Sequence, residues 1–159
     1  MPNWNQEQPA PKALRQILKA TFSEIKLTVP DGRGKMMSNY QIYVVRNVAN
    51  STNASDHSEG RAMDVYLEVS DENEKKIADY LYEVFIKYAD DLGLMNVIWN
   101  REIWKKSTGK KEKYTGSNPH TNHIHISWSR DGSQKVLFGA LPARLMLRAG
   151  FPGSIYENI

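Results

Sequence analysis

Apolar residues recur along the chain with two periods, and each period predicts an element. From Pro11 to Phe22 the spacing is helical: Leu14, Ile17, Leu18 and Phe22 fall on one face. Pro11 suits the first turn of that helix, where a missing N–H leaves no carbonyl unpaired. A polar, glycine-containing turn over 29–34 follows, and Tyr40 to Val45 then reads as a strand rich in β-branched and aromatic residues. Residues 47–61 are polar and read as a loop. Ala62 to Val69 is a strand by alternation, with Met63, Val65 and Leu67 on one face and Ala62, Asp64 and Tyr66 on the other. Ser70-Asp71-Glu72 opens a second helix whose apolar stripe is Ile77, Leu81, Val84, Phe85 and Tyr88, ending near Gly93. Asn96 to Trp99 and Glu102 to Trp104 form a hairpin around Asn100-Arg101, and 105–113 is a basic loop. Thr121 to Trp128 is the last strand, Arg130 to Gly132 a turn, and 133–149 helical with a break or fresh start at Pro142. Residues 1–10 read as a loose arm and 150–159 as a tail. The pattern thus predicts one domain over 1–159 built of short strands and helices.

Composition narrows the class. With 159 residues, 40% apolar and 25% charged, the chain is long enough for one real core and is not of disordered type. The net charge of +3 favours polyanions only weakly and identifies no partner. There is no cysteine, so disulfides and thiolate metal sites are excluded and any metal must use His, Asp or Glu. No stretch approaches the roughly 18 apolar residues of a membrane span. The start, Met1 to Glu7, lacks the charge and apolar run of a signal peptide. The expectation is a protein made in the cytoplasm that acts elsewhere only after specialised delivery.

The chemistry is concentrated in the histidines. Only four are present: His57, and His120, His123 and His125 within Asn118 to Trp128. Alternation on a strand puts His123, His125 and Ser127 on one face and Ile124, Ile126 and Trp128 on the other. His120 follows Pro119 in a turn and leans over the same point. On the other strand Asp64 is the odd polar residue in an apolar run, and a buried carboxylate needs a partner. His57 lies seven residues upstream, with Gly60 giving the backbone freedom to return. Three His or Asp ligands with a fourth position open to water make a catalytic zinc site. His57, Asp64, His120, His123 and His125 are five candidates for it, and spacing alone does not choose the third ligand.

Ser-x-His-x-x-Gly-x-Ala-x-Asp, from Ser55 to Asp64, followed by His123-x-His125, resembles the LAS group of zinc metallopeptidases. That group takes in lysostaphin-type enzymes, D-Ala-D-Ala peptidases and the hedgehog fold. His120-x-x-His123-x-His125 is similar to the penicillin-insensitive murein endopeptidases. Val97 to Trp104 and Tyr114 to His120 are similar to peptidase domains of phage endolysins. The resemblance implies an α+β fold, a small antiparallel sheet carrying a metal site and flanked by helices, and a zinc-dependent peptidase acting on the stem peptides or cross-bridges of peptidoglycan. It implies His57, Asp64 and His125 as zinc ligands, His123 as catalytic base or proton shuttle, and His120 as oxyanion stabiliser. Arg101 would bind a substrate carboxylate. The partners implied are peptidoglycan peptides rather than nucleic acid, and the enzyme would act as a monomer. Action at the cell wall would follow phage lysis, or injection by a delivery apparatus with an immunity protein in the producing cell.

Other readings use the same residues. The basic balance and His120 to His123 would suit a metal-dependent nuclease, although Asp64 with His57 fits such a site poorly. A zinc-binding member of the fold without catalysis would have no need of His120 and His123. Lys105, Lys106, Lys110, Lys111 and Lys113 read first as a solvated loop and second as an attraction for anionic polymer. Trp99, Trp104 and Trp128 read as core or cleft wall, Arg61 as a loop-ordering residue, and Tyr114 as a lesser candidate for an oxyanion donor.

Overall fold

The computed structural model describes residues 1–44, 55–135 and 147–151. Its centre is a five-stranded antiparallel sheet in the order β3-β7-β4-β5-β6. The strands are β3 (Ala62–Tyr66), β4 (Leu94–Trp99), β5 (Glu102–Lys105), β6 (Lys110–Lys113) and β7 (His123–Trp128). A separate two-stranded ribbon pairs β1 (Thr28–Pro30) with β2 (Met36–Ser38). The helices are α1 (Pro9–Thr21), α2 (Glu72–Lys87), α3 (Ala89–Leu92) and α4 (Arg130–Ser133). The fold is α+β, an antiparallel sheet with helices beside it, as expected.

One face of the sheet carries the core. Met63 and Val65 of β3, Ile124, Ile126 and Trp128 of β7, and Val97 and Trp99 of β4 are all buried there. Against them pack Ile77, Leu81 and Phe85 of α2 and Leu14 and Leu18 of α1. Each such side chain contributes about 1.5–3 kcal/mol by leaving water. The Trp128 indole N–H, buried with its ring, donates to the Leu92 carbonyl at 2.9 Å. Helix α2 begins where the sequence places it, because the Asp71 carboxylate accepts from the N–H groups of Asn73 and Glu74. The expected single helix to Gly93 is two, divided at Tyr88, and Gly93 ends the second with φ +77.

Several expectations are corrected. Helix α1 starts at Pro9, inside the predicted arm, and Gln8 before it is buried, its amide donating to the carbonyls of Asn3, Gln6 and Glu59. The strand expected from Tyr40 reduces to one bridge, Gln41 with Asp64. Its remaining polar backbone is spent elsewhere: the Ile42 carbonyl faces the His57 ring and the Val44 N–H donates to the His57 carbonyl. The turn at 29–34 is the tip of the β1–β2 ribbon. The basic loop 105–113 contains β6, whose Lys-Lys-Glu-Lys sequence has little strand propensity but suits an exposed sheet edge. The turn at Arg130 is α4, capped by Ser129. Most of the segment read as helical at 133–149, the end of the Tyr40 strand, and all but the first two residues of the tail lie outside the described residues.

Candidate metal centre

The register of β3 against β7 sets Asp64 opposite His125, Tyr66 opposite His123 and Ala62 opposite Ser127. The predicted faces hold: His123, His125 and Ser127 stand with Asp64, away from the core. His57 reaches them from a 3₁₀ turn at Asp56–Glu59, closed by Gly60 at φ +67. At that φ a side chain is strained, and a Cβ would also run into the Gln6 carbonyl. Arg61 braces the turn through Asp56 at 2.8 Å and Glu59 at 2.6 Å, and ties it to β7 through the Trp128 carbonyl at 2.7 Å. The loop-ordering reading of Arg61 is therefore what the structure displays.

His57, Asp64 and His125 each offer one ligand atom, and the three atoms lie within 4.8 Å of one another. Asp64 Oδ1 is 3.1 Å from His57 Nε2 and 2.9 Å from His125 Nδ1. Ligands about 2.0–2.1 Å from a tetrahedral zinc stand roughly 3.3 Å apart, so these spacings need open by only a few tenths of an ångström. The bonding of His57 makes the fit sharper. Its Nδ1 lies 2.8 Å from the Ile42 carbonyl, an acceptor only, so Nδ1 carries a proton. Its Nε2 faces a carboxylate oxygen. Either His57 holds both protons, as a buried imidazolium, or the Nε2 lone pair belongs to a cation. A ring fixed by its distal N–H on a carbonyl is the usual support of a metal-ligating histidine. The donor set fits a metal ion, and this buried group could hold one.

The other two histidines stand around this group. His123 Nε2 is 3.8 Å from Asp64 Oδ1, and its Nδ1 is 2.7 Å from Asn122 Oδ1. The His120 ring lies 4.6 Å from that of His123 and 5.7 Å from that of His125, centroid to centroid. Its Nδ1 is 2.7 Å from the Asn118 carbonyl and so donates to it, and its backbone N–H donates to Asn118 Oδ1 at 3.0 Å. The Nε2 of His120 is left as a lone-pair acceptor. The Tyr114 ring meets His120 edge-on at 4.9 Å. His120 itself sits at φ +54, held there by the β4–β5 hairpin. Asn100 and Arg101 take φ +46 and +68, as a two-residue type I′ turn requires. Their N–H groups donate to the carbonyls of His120 and Pro119 at 2.8 and 2.9 Å. Arg101 thus joins the site through its backbone, and its side chain is exposed.

Electrostatics separate the groups. Burial would raise the Asp64 carboxyl, but hydrogen bonds from His125 and His57 outweigh it and hold the group well below the usual carboxylate range. Burial, with smaller contributions from His123 and His125, pulls His120 down to about 3, so it is neutral at pH 7. Sequence reasoning missed three supporting groups. Asn118 and Asn122 adjoin their histidines and could have been suspected from adjacency. The Ile42 carbonyl leaves no signal in the pattern. Ser127, which alternation does place on the site face, is buried, and its hydroxyl has no hydrogen-bond partner among the described residues.

No curated protein and no solved structure matches the chain. A family model described as the C-terminal domain of VldE matches residues 21–125, a span that contains every candidate site residue. Since that span is well over half of the 159 residues, the chain belongs to the family of the VldE C-terminal domain.

Proposed function

We propose that the chain is a zinc peptidase of the LAS type, hydrolysing peptide bonds in the stems or cross-bridges of peptidoglycan. The observation that carries this reading is the two-sided bonding of His57, with Nδ1 on the Ile42 carbonyl and Nε2 facing Asp64. Two further histidines at the edge of the group support catalysis over mere metal storage. Zinc on His57, Asp64 and His125 would supply water activated near pH 7 and a charge that polarises the scissile carbonyl. The chain's own residues handle the protons. His123 commits Nδ1 to Asn122, leaving Nε2 to take a proton beside Asp64. His120 commits Nδ1 to Asn118 in the same way and is neutral at pH 7, so to stabilise an oxyanion its Nε2 would have to receive the proton that His123 takes from water, across rings 4.6 Å apart. Arg101 would hold a substrate carboxylate at the rim.

No observation favours the nuclease. His120 and His123 lead into a strand and not the helix of a ββα-metal site. Three of the five lysines in the basic run have carboxylate partners: Lys105 with Glu112, Lys106 with Asp90 and Lys111 with Glu83. Delivery to the wall would follow phage lysis or injection.

The test is digestion of purified sacculi by the zinc-loaded protein, with mass spectrometry of the released fragments. New amino groups should appear, and a chelator should stop their release. Undiminished digestion after exhaustive zinc removal would sink the reading. So would plasmid nicking with no release from sacculi.

A further inference from the structure

On the helical side of the sheet, beyond the hairpin tip, lies a hollow of about 250 Å³ lined by Asp79, Tyr82, Glu83, Trp99, Asn100 and Glu102. It shares no lining residue with the His/Asp group. Its size suits an amino-acid side chain and not a drug-sized ligand. Three of its six lining residues are acidic and two are aromatic. Asp79 accepts from the Trp99 indole N–H at 2.8 Å and from Lys75 at 2.7 Å. Glu83 is paired with Lys111, whose ammonium also stands over the Tyr82 ring, 5.4 Å from its centroid. One rim of the hollow therefore already accommodates an ammonium between a carboxylate and an aromatic face. Glu102, half-buried at the other side, has no ion pair among the described residues. The Tyr82 hydroxyl is buried, its residue 4% exposed, and has no partner within 3.5 Å among the described residues, with the Glu102 carboxylate just beyond as its neighbour. Burial and the neighbouring Glu102 carboxylate push this phenol up, so it stays a neutral donor and acceptor at pH 7.

We propose that this hollow is a binding site, separate from the metal centre, for a primary ammonium on a short alkyl chain, as in a lysine-type side chain. Glu102 would pair with the ammonium, the Tyr82 hydroxyl would accept from it, and Trp99 and Tyr82 would flank the alkyl chain. A divalent metal fits less well, because two of the three carboxylates already have lysine partners and the aromatic walls offer no ligands. The site does not depend on the peptidase reading.

The experiment is a titration of the isotope-labelled full chain with 1,5-diaminopentane, followed by NMR at the Trp99 indole N–H and the Asn100 amide. Both signals should shift saturably, and the neutral 1,5-pentanediol should leave them in place. Glu102→Gln should weaken binding by about tenfold, the order expected for losing a charge-assisted hydrogen bond. Tyr82→Phe, which keeps the ring and the fold, should weaken it by about threefold, the order of a lost neutral hydrogen bond. The proposal is overturned by any of four results: no saturable shift with the diamine, an equal shift with the diol, unchanged affinity in E102Q, or shifts from magnesium or calcium alone.

Discussion

At the scale of single residues, the site is a set of rings with one nitrogen already spent. His57, His120 and His123 each give Nδ1 to an oxygen close by, which leaves Nε2 facing inward. The proposed ligand and base roles are then divided by reach towards Asp64. His57→Ala and Asp64→Ala should each abolish stoichiometric zinc, measured by mass spectrometry of the dialysed protein. His123→Ala should retain zinc and lose turnover by about 100-fold or more, the scale of general-base catalysis. Zinc loss in His123→Ala would move that residue among the ligands. Glu59, in the turn that carries His57, gives a pH prediction. Its hydrogen bond to Arg130, then its partner Arg61, overcome burial and lower it to about 2 from 4.5. A depressed carboxyl contributes stability that is complete above pH 4.5 and is lost as the pH falls towards 2. Glu59→Gln should therefore destabilise at pH 7 and flatten the acid limb of stability across that window. Arg130 is exposed, so solvent screening limits the loss to about 1 kcal/mol, readable from urea melts at pH 7 and pH 3.

At the scale of elements, turns do most of the positioning. Gly60→Ala should destabilise by about 1–3 kcal/mol, since the new Cβ meets both a positive φ and the Gln6 carbonyl. Thermal melts would show it, and the variant should also bind zinc more weakly, because the same turn presents His57. An unchanged Tm would remove the Gln6 contact from the account of this turn. The strands that carry Asp64 and His125 were legible in the sequence because alternation alone assigns their faces. The β4–β5 hairpin was legible from two apolar runs flanking Asn100. What was not legible depended on partners distant in the chain. Tyr40 to Val44 has strand composition, yet its carbonyls and N–H groups serve the His57 turn, and no local pattern encodes that. Lys110 to Lys113 has the composition of a loop, and it is a strand because β5 offers it a ladder.

At the scale of the molecule, the group of His57, Asp64 and His125 ties three segments of the chain. His57 and Asp64 are neighbours in sequence, and His125 lies 61 residues beyond Asp64. A cation bound to all three exists only in the folded state, so its binding free energy adds to stability. With free zinc at a hundred times the dissociation constant the gain is about 2.7 kcal/mol. For a chain of this length that is a rise in Tm of about 5–10 °C. Calorimetry with and without chelator should display the difference, and His57→Ala should erase it. Among the described residues no helix is long and apolar enough to cross a membrane.

Among the described residues, three of the four non-glycine positions at positive φ, Asn100, Arg101 and His120, meet where the hairpin tip holds the His120 turn. Selection for heat resistance alone would find glycine at 101 and 120, where each change relieves backbone strain of about 1 kcal/mol or more. Both substitutions delete a candidate functional side chain. A library of this chain ranked by survival on heating should therefore sort opposite to one ranked by turnover at these two positions, and in parallel in the core.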